Sequence, residues 1–495
     1  MFKKIILSLI PVLAFTQTKI DYKLFYSDKL ETEGLKVQVS FKSKEETDST
    51  YFHYSNQKWG EMNLINCIKI LKDENPNYKF KLVGDSNRIV VYHPKTKNIS
   101  FFYHIEQDYK GDDPMIFFRP KIKNNFFHIL GENLFTVPET IFEKNVQNPK
   151  IKTTIEWINF PDDFKIHNTF GTNQKKQTLK VDLWHQLYHS LFIGGDYRIY
   201  SFSYQNKPIY FAIRDQWLNE YQDEKLLEAL KKTISTQREF WKDNDFDYYT
   251  VIITPTISQR DSTYRGQSMS GTNIFNGFMI QSSNNPFNDW NEMCSTINHE
   301  MMHDWIGGKI ETKNEELNYW FSEGFTDYYN YKNRLRSKDI TFKEWLDYFN
   351  KNIIRIHWKN PEKNKANYVI KDNYWSNRDI QKIPYQRGAI FAFWLDNQIL
   401  KKSNYTKSLD DLMREMFAIC STENKKFTDE FFIELAQKYI DRDINLDYFF
   451  QKHILCGEDM EIKNEDLIDG FKIVYVEKIP QIKADEEMIN KYIVK

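Results

Sequence analysis

The chain has 495 residues, of which 41% are apolar, 28% charged and 16% aromatic, a length for two to four domains and a composition that argues against a chain dominated by disorder. With 68 basic and 69 acidic residues its formal charge is -1, so no excess of positive charge exists to capture nucleic acid or an anionic membrane. Its four cysteines, Cys67, Cys294, Cys420 and Cys456, are far apart and form no C-x-x-C pair, which argues against a disulfide scaffold and against a cysteine zinc cluster.

Met1-Phe2-Lys3-Lys4 is a short basic start, Ile5 to Phe15 a mostly apolar run, and Thr16, Gln17 and Thr18 are polar. This is the layout of a secretory signal peptide spanning 1–17, and it predicts export to the periplasm or outside the cell. The run is too short to span a bilayer and no second such run follows, so no stable membrane insertion is expected after cleavage. From Lys19 to Ile213 the pattern is mostly strand-like. Leu35 to Phe41 and Tyr78 to Leu82 alternate apolar and polar residues, while Arg88 to Tyr92 and Ile99 to His104 are denser β-branched and aromatic runs. Turn-rich pieces such as Gly84-Asp-Ser-Asn87 separate them. We read residues 18–215 as a β-rich N-terminal domain.

The character changes after Asp215. Glu224 to Phe240 carries Leu226, Leu227, Leu230 and Ile234 on one helical stripe, and Tyr249 to Thr254 reads as a buried strand ending at Pro255. Residues 262–281 hold Gly266, Gly271 and Gly277 among apolar residues, which suits a strand that something approaches closely. From residue 287 to about Lys452 the pattern is mainly helical, and short strand or loop follows. The reading is an α+β multidomain chain with a catalytic region at 216–400 and a helical C-terminal region with short terminal strands at 401–495.

Within the helical part, His299-Glu300-Met301-Met302-His303 is the pattern H-E-x-x-H. On a helix, positions i and i+4 share a face, so two imidazoles there can share one zinc ion, and Glu300 beside them can take a proton from a water the metal activates. Trp290, Cys294, Ile297, Met301 and Trp305 recur at helical spacing as an apolar back, opposite Thr296, His299, Glu300, His303 and Gly307. A chance match to the pattern occurs in on the order of one or two chains per hundred. A third ligand raises its weight. Glu323, in Trp320-Phe-Ser-Glu-Gly-Phe-Thr-Asp-Tyr-Tyr329 on the next expected helix, completes two His and one Glu and leaves one position open. Asp327, one turn on, can accept the free N–H of a ligating His. A second pair, His185 and His189, lacks the Glu and a third ligand, and reads as packing.

Residues His299 to Tyr329 resemble gluzincin metallopeptidases, especially the glycyl-aminopeptidase-like family and its alanyl-aminopeptidase relatives, which show H-E-x-x-H-x-W and then W-x-x-E-G-F. Here these are His303-Asp-Trp305 and Trp320-Phe-Ser-Glu-Gly-Phe325. Nineteen residues, 304 to 322, separate the second His from the Glu, one more than the alanyl-type spacing, and Ser322 replaces its usual Asn. Pro384-Tyr385-Gln-Arg-Gly388 resembles the family's P-Y-x-x-G segment, which implies that the Tyr385 hydroxyl steadies the oxyanion. Ser270-Gly-Thr-Asn-Ile-Phe-Asn-Gly-Phe278 resembles the family's Gly-rich edge strand, which implies that Gly271, Thr272 and Asn273 pair with substrate backbone. The resemblance covers about residues 180 to 460 and implies a thermolysin-like fold for the catalytic domain. One departure stands out: relatives that trim free amino termini carry a Glu in that strand, whereas Ser262 to Asn285 contains no acidic residue.

The expected function is therefore an exported peptidase with one zinc ion on His299, His303 and Glu323, Glu300 as general base, and a peptide or protein substrate along 269 to 275. Aminopeptidase action leads. Endopeptidase action, or hydrolysis of another amide, is the first alternative, and a catalytically silent peptide-binding protein on the same fold is the second.

Overall fold

The computed structural model describes residues 19–83, 87–142, 150–217, 221–257 and 264–485. The segment 1–17 read as a signal peptide lies outside them. The described residues form two compact units, one containing residues up to 110 with 118–196, the other containing 111–117 with 197 onward.

The first unit is built on β-sheet. In its larger, eight-stranded sheet, β1 (Lys19–Phe25), β2 (Leu35–His53), β3 (Arg88–Ile105), β4 (Ile151–Ile158) and β5 (Lys176–Val181) follow the order β5-β4-β1-β2-β3. The alternation in β2 does what a half-buried strand requires: Leu35, Val37, Val39 and Phe41 enter the core while Lys36, Gln38 and Ser40 stay partly exposed. The two dense runs expected as separate strands are one strand, β3. Pro94 to Asn98 between them stays extended because β3 pairs along the far arm of β2, across register shifts between Lys42 and Ser49. A five-stranded sheet that includes Phe126–Leu130 and Leu191–Gly195 completes the unit.

The second unit opens with a five-stranded sheet. The hairpin β6 (Arg198–Tyr204) and β7 (Lys207–Ile213), which the strand pattern grouped with the N-terminal region, belongs here. β7 pairs in parallel with β8 (Tyr249–Pro255) after a crossover through α1 (Asp223–Trp241), a long-range pairing that local pattern does not reveal. On α1 the expected stripe is realised, with Leu226, Leu230 and Ile234 buried and Leu227 packed at its margin. All seven residues of β8 are buried. Beside it run β10 (Gly277–Ser282), in parallel, and then β9 (Met269–Ile274), antiparallel and at the sheet edge. The glycine-bearing stretch read as one strand is thus a hairpin, turned at Phe275-Asn276.

Helices follow. α2 (Trp290–Met302) starts at Asp289, whose side chain caps it by accepting from the Glu292 N–H at 2.9 Å. Cys294, Ile297 and Met301 form its buried back, and Trp305 continues that face just past its end. α3 (Tyr319–Ser322) and α4 (Gly324–Arg336) are separated only by Glu323, and α5 (Arg378–Lys402) packs on both. The centre of this helical layer is Trp320, with the rings of Phe325, Phe391, Phe432 and Phe450 at 5.0–5.8 Å. The unit ends in a hairpin, Phe471–Val476 with Ile479–Ala484. No described helix is long and apolar enough to cross a membrane.

Candidate functional site

α2 delivers the two histidines to one spot. The His303 and His299 Nε2 atoms are 3.2 Å apart, and Glu323 Oε2 lies 3.2 Å from the imidazole of His299 and 3.7 Å from that of His303. Two atoms bound to one tetrahedral zinc at the usual bond lengths stand about 3.3 Å apart, so the trio has the separation such an ion demands. It is also the one group of three or more His, Cys, Asp and Glu side chains among the described residues placed to hold a metal ion.

The orientation of each ring is fixed from behind. His299 Nδ1 donates to Asp327 Oδ1 at 2.9 Å, and His303 Nδ1 donates to the Ile306 carbonyl at 3.1 Å. Both Nε2 lone pairs are thereby turned toward the gap they share. Each of the three side chains is about one-seventh exposed, so the site is reached from solvent but not bathed in it. The donor set of two imidazoles and one carboxylate, with a fourth side left open, fits zinc.

The end of the zinc helix is held in place by tryptophan. Trp305 stacks on Trp241 of α1 at 5.7 Å and donates its indole N–H to Asp243 at 2.7 Å. Gly307, at φ 94°, then turns the chain away.

Glu323 and Tyr385 come together through two glycines. A Cβ on Gly388 of α5 would overlap the Trp320 carbonyl, and one on Gly324 would stand 2.5 Å from the Gly388 Cα. Only hydrogen at both positions lets α5 cross this closely over the α3–α4 junction. Tyr385 then reaches the metal trio, its ring stacked 6.1 Å from that of His299. The helix of Tyr385 begins at Arg378 behind an Asn377 cap and carries Pro384 inside it.

Glu300 is buried. Burial pushes its carboxyl up to about 8, opposed by the neighbouring His299. Above it lies β9, where Gly271 is pressed so closely on Glu300 that a Cβ there would overlap the carboxylate. Thr272 and Asn273 follow on this edge strand, half-buried, and Asn273 Nδ2 donates to Asp304 Oδ1 at 2.9 Å. Asp304, the residue after the second histidine, also lies 3.3 Å from Arg238. It supplies a carboxylate to a strand that has none of its own.

Sequence reasoning did not single out Asp304 or Tyr374, and it met Gly324 and Gly388 only as letters of the resembled motifs, not as a contact pair. Tyr374 meets Tyr385 oxygen to oxygen at 3.1 Å. His185 and His189 stand in the first unit, where His189 Nε2 meets Lys58 Nζ at 3.1 Å.

Residues 227–449 match the model of the Peptidase family M1 domain. No curated protein matches the chain. Among solved structures, an aminopeptidase N family protein from Idiomarina loihiensis is similar over 92% of this chain and 79% of its own, at 15% identity and a TM-score of 0.72. A variant of an M1 zinc metallopeptidase from Deinococcus radiodurans, bound to the substrate Tyr-Ser-Ala, is similar over 90% of this chain and 95% of its own, at 10% identity and a TM-score of 0.53. The fold of both is the fold described above. The match over residues 227–449, together with the His-His-Glu trio, supports reading the chain as a zinc metallopeptidase, and its fold is that of aminopeptidase N-like structures.

Proposed function

We propose that the protein removes residues from the free amino termini of peptides, using one zinc ion held by His299, His303 and Glu323. The observation that carries this reading is the convergence of those three ligand atoms, with the Glu300 carboxylate on the same helix and the open edge of β9 beside it. Zinc, when bound, polarises the scissile carbonyl and makes a water molecule more acidic.

The chain's own groups do the rest. Glu300 takes the proton of that water on its carboxylate and returns it to the departing amine. Burial, which favours its protonated form, suits a group that must hold a proton between two steps. Tyr385 donates its O–H where negative charge develops on the carbonyl oxygen. Asp327 keeps His299 in the tautomer that faces the metal. Gly271, Thr272 and Asn273 offer backbone groups to an extended peptide, which adds to the sheet as a sixth strand. The tripeptide held by the Deinococcus radiodurans relative is a ligand of the class this edge accepts. Export, suggested by the pattern of residues 1–17, is part of the proposal.

One observation favours a second reading, endopeptidase action: residues 262 to 285 hold no carboxylate to receive a substrate ammonium. A peptide library in matched free and N-acetylated forms, digested and read by mass spectrometry, decides between them. Stepwise loss of single residues from free peptides alone supports the proposal. Internal cleavage of acetylated peptides at equal or greater rate overturns it in favour of the second reading.

A further inference from the structure

Tyr374 stands just after a seven-residue helix, Asn367–Asn373, and is buried. Its hydroxyl meets the Tyr385 hydroxyl at 3.1 Å, and among the described residues that is its recorded hydrogen-bond partner. Its ring is fixed from the other side, stacked on Tyr319 with centroids 4.3 Å apart and planes at 28°. Tyr319 opens α3, and its carbonyl accepts from the N–H of Glu323 at 2.9 Å. Ile370, Ile380 and Ile383 close the apolar pocket around the pair.

We infer that Tyr374 is a positioning residue for the hydrolytic reaction, which aims and strengthens Tyr385 as a hydrogen-bond donor. A buried hydroxyl with one partner must use it. In the oxyanion role Tyr385 turns its own proton toward the metal trio, so Tyr374 donates and the Tyr385 oxygen accepts. That bond restricts the Tyr385 side chain about its terminal bond, and it polarises the Tyr385 O–H, as linked hydrogen bonds polarise one another. Both effects act where charge develops in the transition state and little on the bound substrate. The stack on Tyr319 makes the donor rigid with respect to the segment that carries Glu323.

The inference rests on the oxyanion role given to Tyr385 above, and the test separates the two. Tyr374→Phe keeps the ring that stacks on Tyr319 and removes only the hydroxyl, so thermal unfolding should change little. We expect kcat to fall about 3- to 10-fold with KM nearly constant. Calorimetric affinity for a phosphinic pseudopeptide, whose tetrahedral oxygens mimic the oxyanion, should weaken by a similar factor. Tyr385→Phe should lose about a hundredfold or more in kcat, and adding Tyr374→Phe to it should cost nothing further, because the group being aimed is gone. If Tyr385→Phe is impaired but Tyr374→Phe leaves kcat and inhibitor affinity unchanged, or lowers activity equally in both backgrounds, the positioning role is overturned. If Tyr385→Phe itself is fully active, the oxyanion reading fails and this inference with it.

Discussion

Gly271 illustrates how little freedom single positions at this centre have. A Cβ there would overlap the Glu300 carboxylate, so Gly271→Ala should displace the base without touching a metal ligand. We expect kcat to fall at least tenfold while zinc content stays at the wild-type level, and an unchanged kcat would show that Glu300 does not depend on that close contact. Glu300→Gln removes the proton acceptor but keeps the shape. Its turnover should drop about 10²- to 10⁴-fold with the metal retained, the range for loss of a positioned general base. At this scale much of the site was legible in the sequence. His299, Glu300 and His303 lie within five residues, and Glu323 follows in a tryptophan-led segment. Helical periodicity alone puts the first three on one face. Asp304 and Tyr374 were not legible, because what marks them is a contact with a distant residue: Asn273 for one and Tyr385 for the other.

Between elements, the decisive contact is the crossing of α5 over the α3–α4 junction, where Gly324 and Gly388 meet backbone to backbone. Gly388→Ala should force α5 outward, carrying Tyr385 from the metal trio. Overpacking of this kind costs about 1–3 kcal/mol, and we expect a lower melting temperature together with a loss of kcat larger than that in KM. Retention of both would show that the crossing can relax. The same helices are tied by charge. Lys332 of α4 lies 2.7 Å from Asp396 of α5 and 3.0 Å from Asp410 of α6 (Leu409–Glu423), with all three side chains nearly or fully buried. Removing one member strands the others, so Asp396→Ala should cost about 3–5 kcal/mol in denaturant unfolding, and a loss below 1 kcal/mol would refute that ledger. The stripes of α1 and α2 were legible because they are local, whereas α4 and α5, buried nearly all round, were read only as part of a mainly helical stretch. The sequence did not show that β6 and β7 join the second unit's sheet, nor that the two dense runs of β3 are one strand. Both outcomes depend on pairing with β8 and with the long arm of β2, far along the chain.

Across the whole molecule, acid and metal should each govern stability. Burial raises the Asp410 carboxyl, but Lys332 and Arg336 lower it more, to about 2. In an unfolded chain such a group titrates near pH 4. The folded form therefore binds fewer protons between these values, and the stability Asp410 contributes is complete above about pH 4 and lost as pH falls toward 2. Unfolding free energies measured from pH 5 down to 2.5 should decline more steeply in the wild type than in Asp410→Asn. Parallel curves would contradict this assignment. A metal that binds the folded chain alone stabilises it by mass action, so chelation should lower the melting temperature. All of this depends on one ion joining α2 to Glu323. The most direct test is the zinc content of the purified protein by elemental mass spectrometry, beside that of His303→Ala prepared identically. We predict one zinc per chain in the first and a small fraction of that in the second. Absence of a stoichiometric divalent metal from the native protein, or full retention by His303→Ala, would contradict the account.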